Sequence, residues 1–257
     1  MATAVKMIGT RVRPRFTAPW LGDHRLGLGL IVASATITIL VALCGPSAVT
    51  LKLGERIDYT PPWYLPVSWV QLNEWVAVPA LWTGIALGAL GLLVCWRAVN
   101  LGWRPNNRRL FLLGSLLSIA TCLVPPLTSA DVLMYAAYGR LQVLNLNPYD
   151  ITPAEIFRQE FDSLLINTER PWQDTPSVYG PLASASQWLA AWLGDGNMHN
   201  TVFWLQMFAL LPFLLRNERL VTLRLGPGSR QCRSLLIGRL LRASILLVVC
   251  FCVGTVV

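Results

Sequence analysis

Charge is what this sequence has least of. Only 13% of its 257 residues are Asp, Glu, Lys or Arg, against 54% hydrophobic, and the mean hydropathy is +0.51. A soluble domain carries about 25% charged residues. Half of the usual solvated surface is therefore missing, and the composition suits a bilayer better than water. Histidine is nearly as scarce: His24 and His199 stand far apart and make no metal site. No CxxC pair occurs among the six cysteines (Cys44, Cys95, Cys122, Cys232, Cys250, Cys252). Most lie inside apolar stretches, where they pack as small hydrophobes rather than as a disulfide framework. There is no P-loop, no GxGxxG after a strand, and no stretch that would house a soluble nucleotide-binding domain.

The charges that do occur are unevenly placed. Lys+Arg outnumber Asp+Glu by 21 to 13, for a net +8. Lys6, Arg11, Arg13 and Arg15 precede the first apolar run, and Arg97, Arg104, Arg108 and Arg109 lie between the second and third. That is an orientation signal. Without a basic stripe or a reading motif it is no nucleic-acid footprint, so the expected surroundings are membrane lipids and not nucleic acid. It sets residues 1–25 as a basic cytoplasmic N-terminus, of a cell-membrane protein. The first apolar run continues for about 18 residues, of spanning length and longer than the core of a cleavable signal, so it is expected to remain as a transmembrane helix.

Apolar runs at Leu26–Leu43, Val76–Cys95 and Leu110–Leu127 predict three spans, each burying its backbone polar groups in its own helix. Segments 45–75 and 128–178 then lie on the non-cytoplasmic side. The first is rich in Pro61, Pro62, Trp63, Tyr64, Pro66, Trp69 and Trp75, as an interfacial aromatic belt is and as a cradle for a lipid substrate would be. The second is long and irregular, a length that goes with function or with short helices of its own. Helices are predicted over Asp131–Val143, ended by the Asn147-Pro148 turn, and over Pro153–Ile166, where Thr152, Pro153 and Glu155 form a capped start. Two further runs, Pro181–Leu193 and Thr201–Leu215, precede an arginine-rich stretch (Arg216, Arg219, Arg224, Arg230, Arg233) and a last run, Leu235–Val257. If both cross, those arginines fall outside. If Pro181–Leu193 is partial or re-entrant they are cytoplasmic, the arrangement that the positive-inside bias favours. The expected fold class is an all-α, polytopic transmembrane protein with about five or six spans or partial spans and a helical outer loop.

Chemistry is concentrated after the third run. On a helix, Asp131, Tyr135 and Tyr138 share one face, and Arg140 points to the other side. A carboxylate flanked by two phenols at the membrane surface can accept a proton from a sugar hydroxyl. Thr128-x-x-Asp131 is equally a capping box, and the two roles are compatible because the helix dipole favours an acid there. Trp172, Asp174, Tyr179, Gly180 and Pro181 form a second polar-aromatic group, where a turn with interfacial anchors is the plainer explanation. Arg140, Arg158 and Arg170 are outer cations able to hold a phosphate, and Asp58 is a further acid.

At these residues the sequence resembles the actinobacterial polyprenol-phosphomannose-dependent α-1,6-mannosyltransferases, membrane glycosyltransferases of the GT-C class. The resemblance is carried by Ser129-Ala130-Asp131-Val132 through Tyr135, by Tyr138-Gly139-Arg140 and Asn147-Pro148-Tyr149, and by Trp172 through Thr175-Pro176-Ser177-Val178-Tyr179-Gly180-Pro181. It implies a GT-C-like domain over 26–225 and an inverting transfer of mannose from a lipid-linked donor, polyprenyl-phosphomannose. The acceptor would be the 6-hydroxyl of a lipid-anchored mannan, in lipomannan and lipoarabinomannan assembly. It implies Asp131 as general base, Tyr135, Tyr138, Trp172 and the Tyr179-Gly180-Pro181 turn at the substrates, and Arg140 on the leaving phosphate. It implies no certain cofactor, and a divalent metal stays open. From Gly226 the resemblance stops, so 226–257 is expected to be a divergent end and the chain an amino-terminal half. An inactive, shortened remnant is the alternative. A small-solute transporter would need broken or charged spans and inverted repeats, which the sequence lacks.

Overall fold

Asp23 opens the first helix by accepting the Arg25 N–H on its carboxylate at 2.9 Å, the usual way to satisfy a donor that has no partner within the helix. In the computed structural model, which describes residues 22–54, 60–65, 72–168 and 172–222, every regular element is helical. These are α1 (His24–Leu43), α2 (Glu74–Asn100), α3 (Asn107–Cys122), α4 (Asp131–Val143), α5 (Pro153–Phe157), α6 (Pro181–Leu193) and α7 (Met198–Thr222), with 3-10 turns at Leu165–Asn167 and Trp172–Asp174. Among the described residues, α1 and α2 are long and apolar enough to cross a membrane. The chain is an all-α membrane protein.

The α1–α2 hairpin is held by small residues. Gly27, Ser34 and Thr38 of α1 face Gly91, Gly88 and Gly84 of α2 so closely that a Cβ on Gly91 would sit 2.7 Å from the Gly27 carbonyl oxygen. Ser34 donates its hydroxyl to the Gly84 carbonyl at 2.6 Å. In a bilayer, where lipid is as apolar as leucine, close backbone approach and interhelical hydrogen bonds replace the hydrophobic drive between helices. On the outer face of α2, Trp75 and Trp96 are both exposed. Their separation along the helix is about 31 Å, close to the hydrocarbon thickness of about 30 Å.

At one end of the hairpin His24 stacks on Trp103, ring centroids 4.6 Å apart. Arg25, Arg97, Arg104, Arg108 and Arg109 cluster in sequence around that end, where α1 begins, α2 ends and α3 begins. At the other end the chain after α1 is tied to the α3–α4 connection. Thr128 N–H donates to Val49 O (2.7 Å), Leu51 N–H to Pro126 O (3.3 Å) and Trp63 N–H to Leu123 O (2.7 Å), around an antiparallel bridge between Thr50 and Leu127.

Two helices end earlier than the sequence predicts, and a third keeps its expected bounds. The third helix ends at Cys122 rather than Leu127, because Pro125 and Pro126 cannot donate to it and disfavour helical backbone just before them. The capping box at Thr152–Glu155 forms, with both of its hydrogen bonds, but α5 stops at Phe157 instead of reaching Ile166. Asp162 interrupts it by accepting the Leu164 and Leu165 N–H groups at 2.9 and 3.0 Å, which starts a new turn. α6, at 13 residues, measures about 20 Å, short of a full crossing. The expected span Leu235–Val257, together with Arg224, Arg230, Arg233, Asp58, Arg170, Pro66 and Trp69, lies outside the described residues.

Replacing Gly91 by Leu should separate α1 from α2. The expected outcome is a lower thermal midpoint in detergent micelles, from a cost of about 1–3 kcal/mol. Gly29→Ala, where an added Cβ meets nothing within 4 Å, should leave the midpoint unchanged.

Candidate active site

The helix that carries the candidate acid is deeply packed. Leu133, Met134, Ala136, Ala137, Tyr138 and Leu141 of α4 are buried in one cluster with Leu53, Leu164, Leu165, Met198 and Val202. Gly139 lets α4 touch α6: a Cβ there would lie 2.1 Å from the Gln187 carbonyl oxygen. The glycine of the Tyr138-Gly139-Arg140 motif is thus explained by packing.

Asp131 is the first residue of α4 and is half-buried. The anticipated Thr128 capping box is absent: α4 has no side-chain cap, and Thr128 adopts a left-handed φ of 66°. That backbone is required to send its N–H to Val49, and it turns the Thr128 hydroxyl onto the Leu127 carbonyl. Ser129 takes the acid instead, donating its hydroxyl to Asp131 Oδ2 at 2.8 Å and accepting the Asp131 N–H at 3.3 Å.

One turn on, the ring of Tyr135 meets Tyr179 edge to face, centroids 5.0 Å apart, and Tyr138 tilts against the same ring at 6.1 Å. The Tyr138 hydroxyl donates to Thr175 O at 2.9 Å. Tyr149 donates to Tyr179 O at 2.8 Å and shares a 2.7 Å hydrogen bond with the Ser184 hydroxyl. Burial, a hydrogen bond with Tyr179 and the nearby Tyr179 and Asp131 charges hold the Tyr135 phenol well above its usual range. Burial and Tyr179 push Tyr138 up to about 12. Both are neutral hydrogen-bonding groups at any physiological pH.

Ser129, Tyr135 and Tyr179 open onto a cavity of about 460 Å³, within the range of pockets that enclose small ligands. Its wall draws on α1, α3, α4, α6 and α7 and is largely apolar, with Gln187 and Gln206 among its polar side chains. Arg140 and Trp172 lie outside this wall. The Arg140 Nε donates to Asp162 at 2.8 Å in a mostly buried ion pair. Trp172 is exposed in a 3-10 turn, near a surface pair of Arg158 with Asp174 at 2.8 Å. Gly180 caps α6, which Pro181 begins. Among the described residues no three His, Cys, Asp or Glu side chains gather as a metal site, and His199 is buried against Gly54 O and Tyr64.

The sequence places Asp131, Tyr135 and Tyr138 on one helix, as the structure has them, but does not show Ser129 as the partner of Asp131, Asp162 as the partner of Arg140, or Gln187 and Gln206 on the cavity wall. For the glutamines a signal was there, since an amide inside an apolar run has a cost that a function can justify.

An all-helical membrane chain thus brings an acid, its serine and three clustered tyrosines together beside an apolar cavity, whose wall includes Ser129, Tyr135 and Tyr179 but not Asp131 or Tyr138. Residues 29–241 match the family described as alpha-(1->6)-mannopyranosyltransferase, N-terminal domain, and the chain belongs to that family of glycosyltransferases. It is also 31% identical over 115 residues to a probable alpha-(1->6)-mannopyranosyltransferase of Mycolicibacterium smegmatis. That alignment covers 44% of this chain and 19% of the relative. No solved structure matches.

The buried phenols give a stability test at high pH. Tyrosine in an unfolded chain ionises near pH 10, whereas folded Tyr138 holds its proton to about 12. Between those values the unfolded state binds fewer protons, so stability falls as pH rises. Thermal midpoints should be flat below pH 10 and decline from 10 to 12, and the Tyr138→Phe protein should decline less steeply.

Proposed function

We propose that the chain transfers mannose from polyprenyl-phosphomannose to the 6-hydroxyl of a mannoside acceptor, with inversion, in lipomannan and lipoarabinomannan assembly. Family membership supports the sugar and the linkage. The observation that carries the mechanism is the Ser129–Asp131 pair, whose serine lines the cavity together with Tyr135. The arginine-rich end of the hairpin faces the cytoplasm, by the positive-inside bias. The acid then lies on the non-cytoplasmic face, away from cytoplasmic sugar nucleotides, and a lipid-linked donor suits that side.

In this scheme Asp131 accepts the proton of the acceptor O6–H while O6 attacks C1 of the mannosyl phosphate. The C1–O bond breaks, and polyprenyl phosphate leaves with the electron pair. One carboxylate is enough, because a phosphate leaving group needs little protonation, unlike the alcohol expelled by an inverting glycosidase. Ser129 holds the Asp131 oxygen in place, Tyr135 and Tyr179 border the cavity where sugar would sit, and Tyr138, buried with its hydroxyl on Thr175 O, supports the Tyr179 ring from behind. Arg140 and Trp172 would meet only parts of a substrate that extend beyond the cavity. There, by our assignment, Arg140 would steady the leaving phosphate.

A positioned base contributes about 10²–10⁴-fold. Membranes carrying the chain, given radiolabelled polyprenyl-phosphomannose and an α-1,6-mannoside, should transfer label, and Asp131→Asn should lower the rate by at least about 100-fold. Undiminished transfer by that variant removes the base role from Asp131. A second reading, a chain that holds substrate without transferring it, draws on the match to an N-terminal domain alone; it predicts no transfer by the wild type.

A further inference from the structure

The end of the α1–α2 hairpin away from the cavity carries five arginines and one acid. Arg25 lies in the first turn of α1, Arg97 in the last turn of α2, Arg104 in the connection that follows, and Arg108 and Arg109 in the first turn of α3. The fold draws the first three together. His24 stacks on Trp103 with ring centroids 4.6 Å apart, so Arg25 and Arg104 each adjoin one ring of the pair. Leu101 and Trp103 return their N–H groups to Arg97 O and Ala98 O, both at 2.9 Å, which folds the connection back onto the end of α2. All of these arginines but Arg97 are exposed.

None of the five is matched by a charge inside the protein. Among the described residues the ion pairs are Arg140–Asp162 and Arg158–Asp174, and Asp23, the acid at this end, is engaged on the Arg25 N–H as the cap of α1. Arg108 and Arg109 stand at the positive end of the α3 dipole, where a cation is disfavoured, and no acid accompanies them in that turn. Residues 1–21 add Lys6, Arg11, Arg13 and Arg15 and no acid. Such an excess calls for anions from outside the chain. Leu93 and Trp96 in the last turns of α2, and Leu101 after it, are exposed as well. Apolar and aromatic side chains mixed with guanidinium groups suit headgroup depth better than open water. All five cations are arginine, whose paired N–H groups fit a phosphodiester.

We propose that this end of the hairpin is a binding surface for anionic phospholipid headgroups, with a phosphodiester seated between Arg25 and Arg104 beside the His24–Trp103 stack. The lipid joins the start of α1 to the α2–α3 connection and so stabilises the hairpin. The candidate active site is at the other end, next to the last turns of α1, and the lipid surface does not depend on the mannosyl-transfer reading.

The test uses the full chain in an uncharged detergent, titrated separately with short-chain phosphatidylglycerol, short-chain phosphatidylcholine and inorganic phosphate. Phosphatidylglycerol should bind and raise the thermal midpoint, while phosphatidylcholine and phosphate at the same concentrations should do neither. Arg25→Gln and Arg104→Gln should each weaken phosphatidylglycerol binding about fivefold, the worth of one basic residue at an anionic surface. Lys52→Gln, which removes an exposed charge at the opposite end, should leave the affinity unchanged. With the unaltered chain, added salt should weaken phosphatidylglycerol binding, a readout that needs no variant to fold. No binding of phosphatidylglycerol, equally tight binding of phosphatidylcholine or of phosphate, or an equal loss in the Lys52 and arginine variants overturns the proposal.

Discussion

The short backbone strap between residues 49–51 and 126–128 governs where everything at the site lies. Two prolines end α3 early, and the chain needs a partner for the donors and acceptors that those prolines strand. The segment after α1 supplies it, through the Thr50–Leu127 bridge and the hydrogen bonds on either side. Thr128 is drawn into a left-handed conformation by this pairing. Ser129 then faces Asp131, and α4 starts at the acid. Without the strap the candidate base would sit on a free loop.

Packing around the strap uses two different currencies. In the α1–α2 hairpin, glycines and a serine bring backbones together where lipid offers no hydrophobic drive. Outside it, α4 is held as a soluble protein would hold it, by a buried cluster of Leu, Met, Ala and Tyr and by the contact that Gly139 permits with α6. The Arg140–Asp162 pair pins the following turn to the same helix. Asp131 is thereby attached to a rigid body, which is what general-base chemistry at a defined distance requires.

Much of this was legible beforehand, for identifiable reasons. Long apolar runs with arginines at one end announce α1 and α2, and the Thr152-Pro153-Glu155 start announces α5. The i, i+4, i+7 spacing of Asp131, Tyr135 and Tyr138 placed the acid and both phenols on α4. What escaped depended on contacts between distant segments. The local pattern points to Thr128 as the partner of Asp131, but pairing with Val49 diverts that residue. Asp162 stops α5 through local hydrogen bonds that any Asp might make or not make. Arg140 points away from the acid, as the helical period requires, yet only the fold shows Asp162 waiting for it.

The cavity wall has a consequence for how the site comes into being. It runs from Thr38 in α1 to Ala209 in α7, so its contributors are spread over most of the chain. The acid, its serine and the strap are complete once α4 has emerged, whereas the apolar chamber exists only after α7 has docked. As segments fold in order from the N-terminus during synthesis, the enclosed chamber is the last part of this region to form, and it arrives with α7.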